Sequence, residues 1–287
     1  MLILGCGHIG RQVARHYLDR AEPVLGLVRG AQSLAALEQE SIPGLARDLA
    51  VDPLGDLPLA GARVFHFAPP PVRGVEDLHT RRLVSAFEHI GDPERLVYIS
   101  TTGVYGDCEG AWVDETWPAR PVVDRARRRW DAEQTLRRWS HASGGALVIL
   151  RVAGIYGPGR LPLQRIREGL PLVREAQAPF SNRIHAGDLV EVCVAAMERG
   201  KTGALYNVCD GNPSTMTDYF FRVADGAGLP RPPVISLEEA EEQLSPGMMS
   251  YMRESRRLSN RRMLEELGVK LRFPTLEAGL RGCFQTS

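Results

Sequence analysis

Arg125-Ala126-Arg127-Arg128-Arg129 places two guanidinium groups one helical turn apart on a shared face, at Arg125 and Arg129. A pair so spaced can bind an anionic group such as a diphosphate, a carboxylate or a phosphate. The same spacing fits a solvated helix side, with Val123, Ala126, Trp130 and Leu136 as the buried stripe and the arginines flanking it. Upstream, Gly5-Cys6-Gly7-His8-Ile9-Gly10 follows an apolar strand and opens an amphipathic helix. In that context Gly5 permits a tight turn, Gly7 lets backbone approach a pyrophosphate, and Gly10 allows close helix–strand packing. The amides at the helix start, those of Cys6, His8 and Ile9 among them, then face phosphates.

The second strand ends in Val28-Arg29-Gly30, with no acidic residue until Glu38. An acid there would bind the adenosine ribose of NAD, whereas an arginine accommodates the 2′-phosphate of NADP. Arg29 therefore favours NADP and leaves NAD open. Asp48, after the third strand, can reach an adenine amino group or serve as an N-cap or turn residue.

Alternating elements position these residues. Strands are expected at Met1–Leu4, Val24–Val28, Ala62–Phe67, Leu96–Ser100 and Ala146–Val152, with helices at 9–18, 76–90 and 124–139. The alternation implies an α/β, Rossmann-type, doubly wound parallel sheet with helices on both faces. A helix at 187–199, a strand at 203–208 and helices near 214–227 and 259–267 follow the Pro/Gly-rich stretch after residue 153. The expected organisation is a dinucleotide-binding domain at 1–154, its sheet completed by 186–210. A smaller C-terminal substrate lobe would come from 155–185 and 211–287.

Composition narrows the classes. The 287 residues carry 35 basic and 35 acidic side chains, 44% hydrophobic and 24% charged. Zero net charge speaks against nucleic acid and anionic membrane as partners. No apolar run approaches the roughly 20 residues of a membrane span. The chain opens directly on a strand, without a leader pattern. Five scattered cysteines read as reduced thiols of a cytoplasmic protein. The seven histidines show no metal-binding spacing.

The ordered set of segments resembles the extended short-chain dehydrogenase/reductases, within them the NAD-dependent epimerase/dehydratase group. It comprises G-C-G-H-I-G at 5–10, V-F-H-F-A-P at 64–69, L-V-Y-I-S-T-T-G-V-Y-G-D at 96–107, R-V-A-G-I-Y-G-P-G-R at 151–160 and N-R-I-H-A-G-D at 182–188. Y-N-V-C-D at 206–210 and S-N-R-R-M-L-E-E-L-G at 259–268 complete it. The resemblance implies that Phe67, Ala68 and Pro69 pass beneath the cofactor ribose, a proline standing where a small residue is usual. It makes Thr101 the catalytic hydroxyl and puts Ser100 beside the cofactor. Residues 154–159 would cover the nicotinamide, with Tyr156 and Arg160 facing the site, or with Tyr156 packed instead. Asn182, Arg183 and His185 would lie on the strip that contacts substrate phosphate, with a buried, hydrogen-bonded structural role as the other reading of His185. Tyr105 and Glu115 follow the fifth strand, Tyr105 against the substrate and Glu115 as an acid/base or bound to backbone amides.

The departure is the family's Tyr and Lys, spaced four residues apart on one helix face. Arg125 stands at the Tyr position and Arg129 at the Lys position, and no Tyr or Lys occurs between residues 106 and 155. Arginine stays protonated at any working pH, so Arg125 cannot shuttle a proton, while Arg129 can still serve as a fixed cation. Two functions follow as expectations. One is an epimerase, dehydratase or reductase acting on a nucleotide-sugar or similar small substrate with altered proton transfer. The other is a non-catalytic NADP(H) sensor or regulatory protein. Either would be a monomer or homodimer, with outward Arg81, Arg82, Arg127, Arg128, Arg137 and Arg138 weighing against a helix-paired dimer.

Overall fold

A computed structural model describes residues 1–284. Seven strands form one parallel sheet: β1 Leu2–Leu4, β2 Leu25–Val28, β3 Gly44–Ala46, β4 Arg63–His66, β5 Arg95–Thr101, β6 Ala146–Val152 and β7 Leu205–Val208. Their spatial order is 3-2-1-4-5-6-7. The chain reverses direction across the sheet between β1 and β4, and ligands of open α/β sheets lie outside the strand ends at such a switch point.

Alternate residues of each strand serve opposite faces. Ile3, Phe65, Val97, Val148 and Leu150 pack into one apolar cluster, under helices α1 (His8–Leu18) and α5 (Ala186–Arg199). Leu2, Leu4, Val64, Leu96, Tyr98, Leu147 and Ile149 pack into the other, under α3 (Leu78–Ile90) and α4 (Asp124–Ser143). Helix α2, Ala31–Gln39, covers β2 and β3. Burial on both faces explains why these strands read as unbroken apolar runs.

Helix α4 is fixed by a buried ion pair. Arg151 on β6 donates to both carboxylate oxygens of Glu133, from Nε at 3.1 Å and Nη2 at 2.8 Å, and Ser100 Oγ donates to Glu133 Oε1 at 2.5 Å. These contacts fix the middle of α4 to Ser100 of β5 and Arg151 of β6. The arginines expected to point outward are largely committed within the chain. Arg128 is buried and donates to the Gly74 carbonyl, Arg82 to those of Leu49 and Asp52, and Arg81 pairs with Asp131.

Residues beyond the sheet build a second layer with its own apolar clusters. One joins Tyr156, Ile166, Leu172, Tyr219, Phe220 and Leu280, and another joins Val173, Ala240, Met249 and Met252. The Arg261–Leu267 helix does not join them. Its Met263 and Leu267 enter the sheet core, so this part of 211–287 packs with the nucleotide-binding body rather than with the lobe. Two-residue strands pair Trp112–Val113 with Arg257–Leu258 and, within the lobe, Leu172–Val173 with Val234–Ile235. Among the described residues no helix is long and apolar enough to cross a membrane.

Candidate functional site

The glycine loop joins β1 to α1. Gly5 has a φ of +84°, and a Cβ there would lie 2.4 Å from the Ala68 nitrogen and 2.8 Å from the Phe67 carbonyl carbon. The loop thus rests on the backbone of the segment after β4, and only glycine permits it. Gly10 meets the Gly5 carbonyl and Ile3, whereas a Cβ at Gly7 would meet nothing within 4 Å. The Gly5 and Cys6 amides both bond the Leu27 carbonyl, so the Cys6 amide is committed, and its side chain is buried. The amides of His8, Ile9 and Gly10 have no acceptor among the described residues. These donors at a helix N-terminus beside open space fit a dinucleotide pyrophosphate.

Cations flank this loop. Burial first, then the charges of Arg160 and Arg11, holds the His8 imidazole below its ordinary pKa. Arg160 is exposed and is not among the residues that line the cleft at the ends of β5 and β6. Arg29 is exposed at the end of β2. Asp48 is a turn residue, its Oδ1 accepting from the Ala50 amide at 2.8 Å. Ala68 is buried against Gly5, Phe67 is half-buried, and Pro69 is exposed.

A cleft of about 450 Å³ opens at the ends of β5 and β6. Thr101, Thr102 and Gly103 line it from β5, and Arg125, Ala126 and Arg129 line it from α4. Asn182, Arg183, Phe180 and Met216 form the lobe wall, with Tyr251, Glu254 and Arg256 completing it. Five of the expected residues, Thr101, Arg125, Arg129, Asn182 and Arg183, thus come together. Thr101 Oγ1 accepts from the Gly103 amide at 3.2 Å and keeps its hydroxyl proton free to donate.

The arginines are held by neutral partners. Arg125 Nη1 donates to Ser250 Oγ at 2.6 Å, and its guanidinium lies 4.0 Å from the Tyr251 ring centroid. Arg129 Nη1 donates to the Ile99 carbonyl at 3.0 Å and the Tyr98 hydroxyl at 3.2 Å. Arg183 is buried with its guanidinium 4.1 Å from the Tyr219 ring centroid, and its Nε has no partner. Burial pulls the Arg183 pKa down, against the opposing pull of Tyr219 and the Asp210 carboxylate. Arg256 differs, since Nη1 bridges Glu254 Oε2 at 3.0 Å and the Gly106 carbonyl at 2.6 Å. Glu254 Oε1 is buried and unbonded.

Five other expected residues point elsewhere. Ser100 is buried with its hydroxyl committed to Glu133. Tyr105 is fully buried and donates to Asn207 Oδ1 at 2.7 Å, its phenol pushed up to about 12 by burial. Glu115 accepts from the Asn207 amide at 2.8 Å, which makes it a backbone anchor. Tyr156 is fully buried between His185 and Tyr219. His185 caps α5 by accepting from the Gly187 amide, and its ring packs on Phe273. Tyr251, Glu254 and Arg256 were not foreseen. They sit in M-M-S-Y-M-R-E-S-R-R at 248–257, which has no motif or period to single them out.

The NAD dependent epimerase/dehydratase family matches over residues 76–209. A solved structure of a functionally unknown conserved protein from Silicibacter pomeroyi DSS is 31% identical, with a TM-score of 0.86, covering 98% of this chain and 96% of that one. The chain belongs to the NAD-dependent epimerase/dehydratase family. Protein YeeZ of Escherichia coli (strain K12) is 29% identical over 187 residues, 63% of this chain and 59% of YeeZ. The human dTDP-D-glucose 4,6-dehydratase is 28% identical over 158 residues, 52% of this chain and 43% of that enzyme. The chain thus matches only about half of these curated relatives' length. Within the family, this member presents Arg125 and Arg129 to its cleft in place of the Tyr and Lys that the resemblance called for.

Proposed function

We propose that this member of the family is an NADP(H)-dependent epimerase, dehydratase or reductase acting on a nucleotide-linked sugar. The observation that carries this reading is an open glycine loop with free His8, Ile9 and Gly10 amides beside a cleft holding Thr101, Arg129 and Arg183. The human relative's name places dTDP-D-glucose in the same family. Arg29, exposed and without an acid beside it at the end of β2, selects the 2′-phosphate of NADP. The five cysteines are unpaired thiols, in keeping with a reducing, cytoplasmic setting.

Bound at the loop, a nicotinamide dinucleotide supplies hydride exchange at a substrate carbon. The protein's own part is to orient the substrate and move its proton. Thr101 donates a hydrogen bond to the substrate oxygen. Arg129, tied to backbone and to Tyr98, is a fixed cation that stabilises negative charge developing there. Glu254, the carboxylate among the described cleft residues, accepts the hydroxyl proton that no cleft arginine can take. A second reading, an NADP(H) sensor, draws on the same two arginines, because neither is an acid/base group.

Titration should show NADPH binding more tightly than NADH, with Arg29→Asp reversing the order. Equal affinities would sink the NADP assignment. Incubation with NADP⁺ and UDP-, dTDP- and GDP-linked sugars, followed by nicotinamide absorbance and product chromatography, then separates the readings. Turnover lost in Glu254→Gln with NADPH affinity intact supports the enzyme. Tight NADPH binding without turnover of any such sugar supports the sensor.

A further inference from the structure

Four guanidinium groups, those of Arg125, Arg129, Arg183 and Arg256, share the cleft with a single carboxylate, Glu254. Glu254 is already bonded to Arg256. Among the described residues, no carboxylate pairs with Arg125, Arg129 or Arg183. Elsewhere arginines are paired often, as Arg81 is with Asp131 and Arg151 with Glu133. The chain as a whole has zero net charge, so the surplus is a property of this cleft.

The unpaired cations sit on two different walls. Arg183 comes from the lobe, fixed between Tyr219 and Met216. Arg125 and Arg129 come from α4, on the wall that also carries Thr101. Arg125 is held flat by Tyr251 and by one bond from Nη1, leaving the rest of its donor fork unbonded. A planar fork of this kind matches a carboxylate with two parallel bonds. Arg125 also lies in the first turn of α4, where the helix field favours an anion. Cations on two walls can receive two anions, a diphosphate on one and a second acid on the other.

We propose that Arg125 forms a second anion subsite, beside Arg129 and Thr101, that receives a carboxylate carried by the sugar itself. The substrate class is then a nucleotide-linked acidic sugar, with Arg183 serving the diphosphate. This rests on the nucleotide-sugar reading above, and it assigns Arg125 a role in specificity rather than in proton transfer.

UDP-glucuronic acid and UDP-glucose differ at one carbon, where the first bears a carboxylate, so they report on that subsite directly. Calorimetry on protein saturated with NADP⁺ should show UDP-glucuronic acid binding at least ten-fold more tightly, a difference of about 1.4 kcal/mol. Arg125→Gln should abolish this preference and Arg125→Lys should keep part of it. Arg183→Gln should weaken both ligands alike. Unchanged NADP⁺ affinity in each variant is the check on folding. Equal binding of the two sugars, or equal weakening of both by Arg125→Gln, overturns the acidic subsite and leaves the nucleotide-sugar reading standing. If neither nucleotide-sugar binds, free glucuronate is the remaining probe. Binding that depends on Arg125 keeps the acid subsite and discards the nucleotide, while no binding discards both.

Discussion

Asp210 follows β7 with one oxygen, Oδ1, accepting from the Asn212 amide at 2.9 Å, and the other, Oδ2, buried without a partner. Burial raises its carboxyl from the ordinary 3.8 to about 7. A raised carboxyl pKa is a stability deficit that depends on pH. Near pH 3 the group is protonated in both folded and unfolded chains and contributes nothing. As pH rises above 3.8 the unfolded chain ionises first, so stability falls until about 7 and stays lowered beyond it. Asparagine keeps the Oδ1 acceptor and cannot ionise. Asp210→Asn should therefore stabilise the protein above pH 7 by up to about 4 kcal/mol, at about 1.36 kcal/mol per unit. The gain should fade as pH falls toward 4. Urea denaturation at both ends of that range measures it, and an equal change at both would rule out the ionisation account.

Single residues also show where reading the chain falls short. Thr101, Arg125, Arg129, Asn182 and Arg183 were legible because each lies in or beside a motif with a fixed place in the fold. Ser100, Tyr105 and Glu115 lie in the same stretches, yet their side chains turn away. What turns them is Glu133 in the first case and Asn207 in the other two, residues distant in the chain. Chain proximity locates a residue near a strand end but does not say which way its side chain faces.

At the scale of elements, the junction of β1 and α1 separates two kinds of glycine. At Gly5 a methyl would strike backbone atoms of Phe67 and Ala68, and the φ of +84° is unfavourable for any other residue. At Gly7 the φ is −85° and a methyl meets nothing. Gly5→Ala should cost about 2–4 kcal/mol of stability, from overlap and backbone strain together. Gly7→Ala should cost less stability than Gly5→Ala, because no atom lies in the way of its methyl, yet weaken NADPH markedly, since that methyl enters the space offered to the phosphates. Denaturation midpoints and NADPH titrations on both variants give four numbers. Equal loss of stability in the two would refute the distinction.

The same scale explains which elements could be foreseen. Strand β6, expected and observed at Ala146–Val152, is an unbroken apolar run because both its faces are buried. Helix α5, expected at 187–199, begins one residue earlier at Ala186 because His185 caps it. The segment from 234 to 258 resisted reading. Its strands are two residues long, its helices seven, and their strand partners lie at 172–173 and 112–113. Elements that short draw their stability from tertiary contact rather than from local periodicity.

For the molecule as a whole, that late segment decides what kind of cleft this is. Residues 254–258 are pinned to the body. Arg256 donates to the Gly106 carbonyl, Arg257 to that of Gly110, the Ser255 amide to Asp107, and the Leu258 amide to Asn182. The Pro246–Met252 helix just before them buries Met249 and Met252 in the lobe. Among the described contacts it meets α4 through Arg125, by Ser250 and by Tyr251, a residue 48% exposed. Short, half-exposed elements with few anchors open at low free-energy cost. An anion engaging Arg125 would tighten the one guanidinium that connects this helix to α4. Hydrogen exchange with UDP-glucuronic acid bound should therefore slow in 246–252 while remaining unchanged in 254–258. Replacing Tyr251 by alanine should speed exchange there in the free protein and remove most of the ligand's effect. Uniform protection across both stretches would mean that the whole lobe closes as one body, with no special part for Arg125.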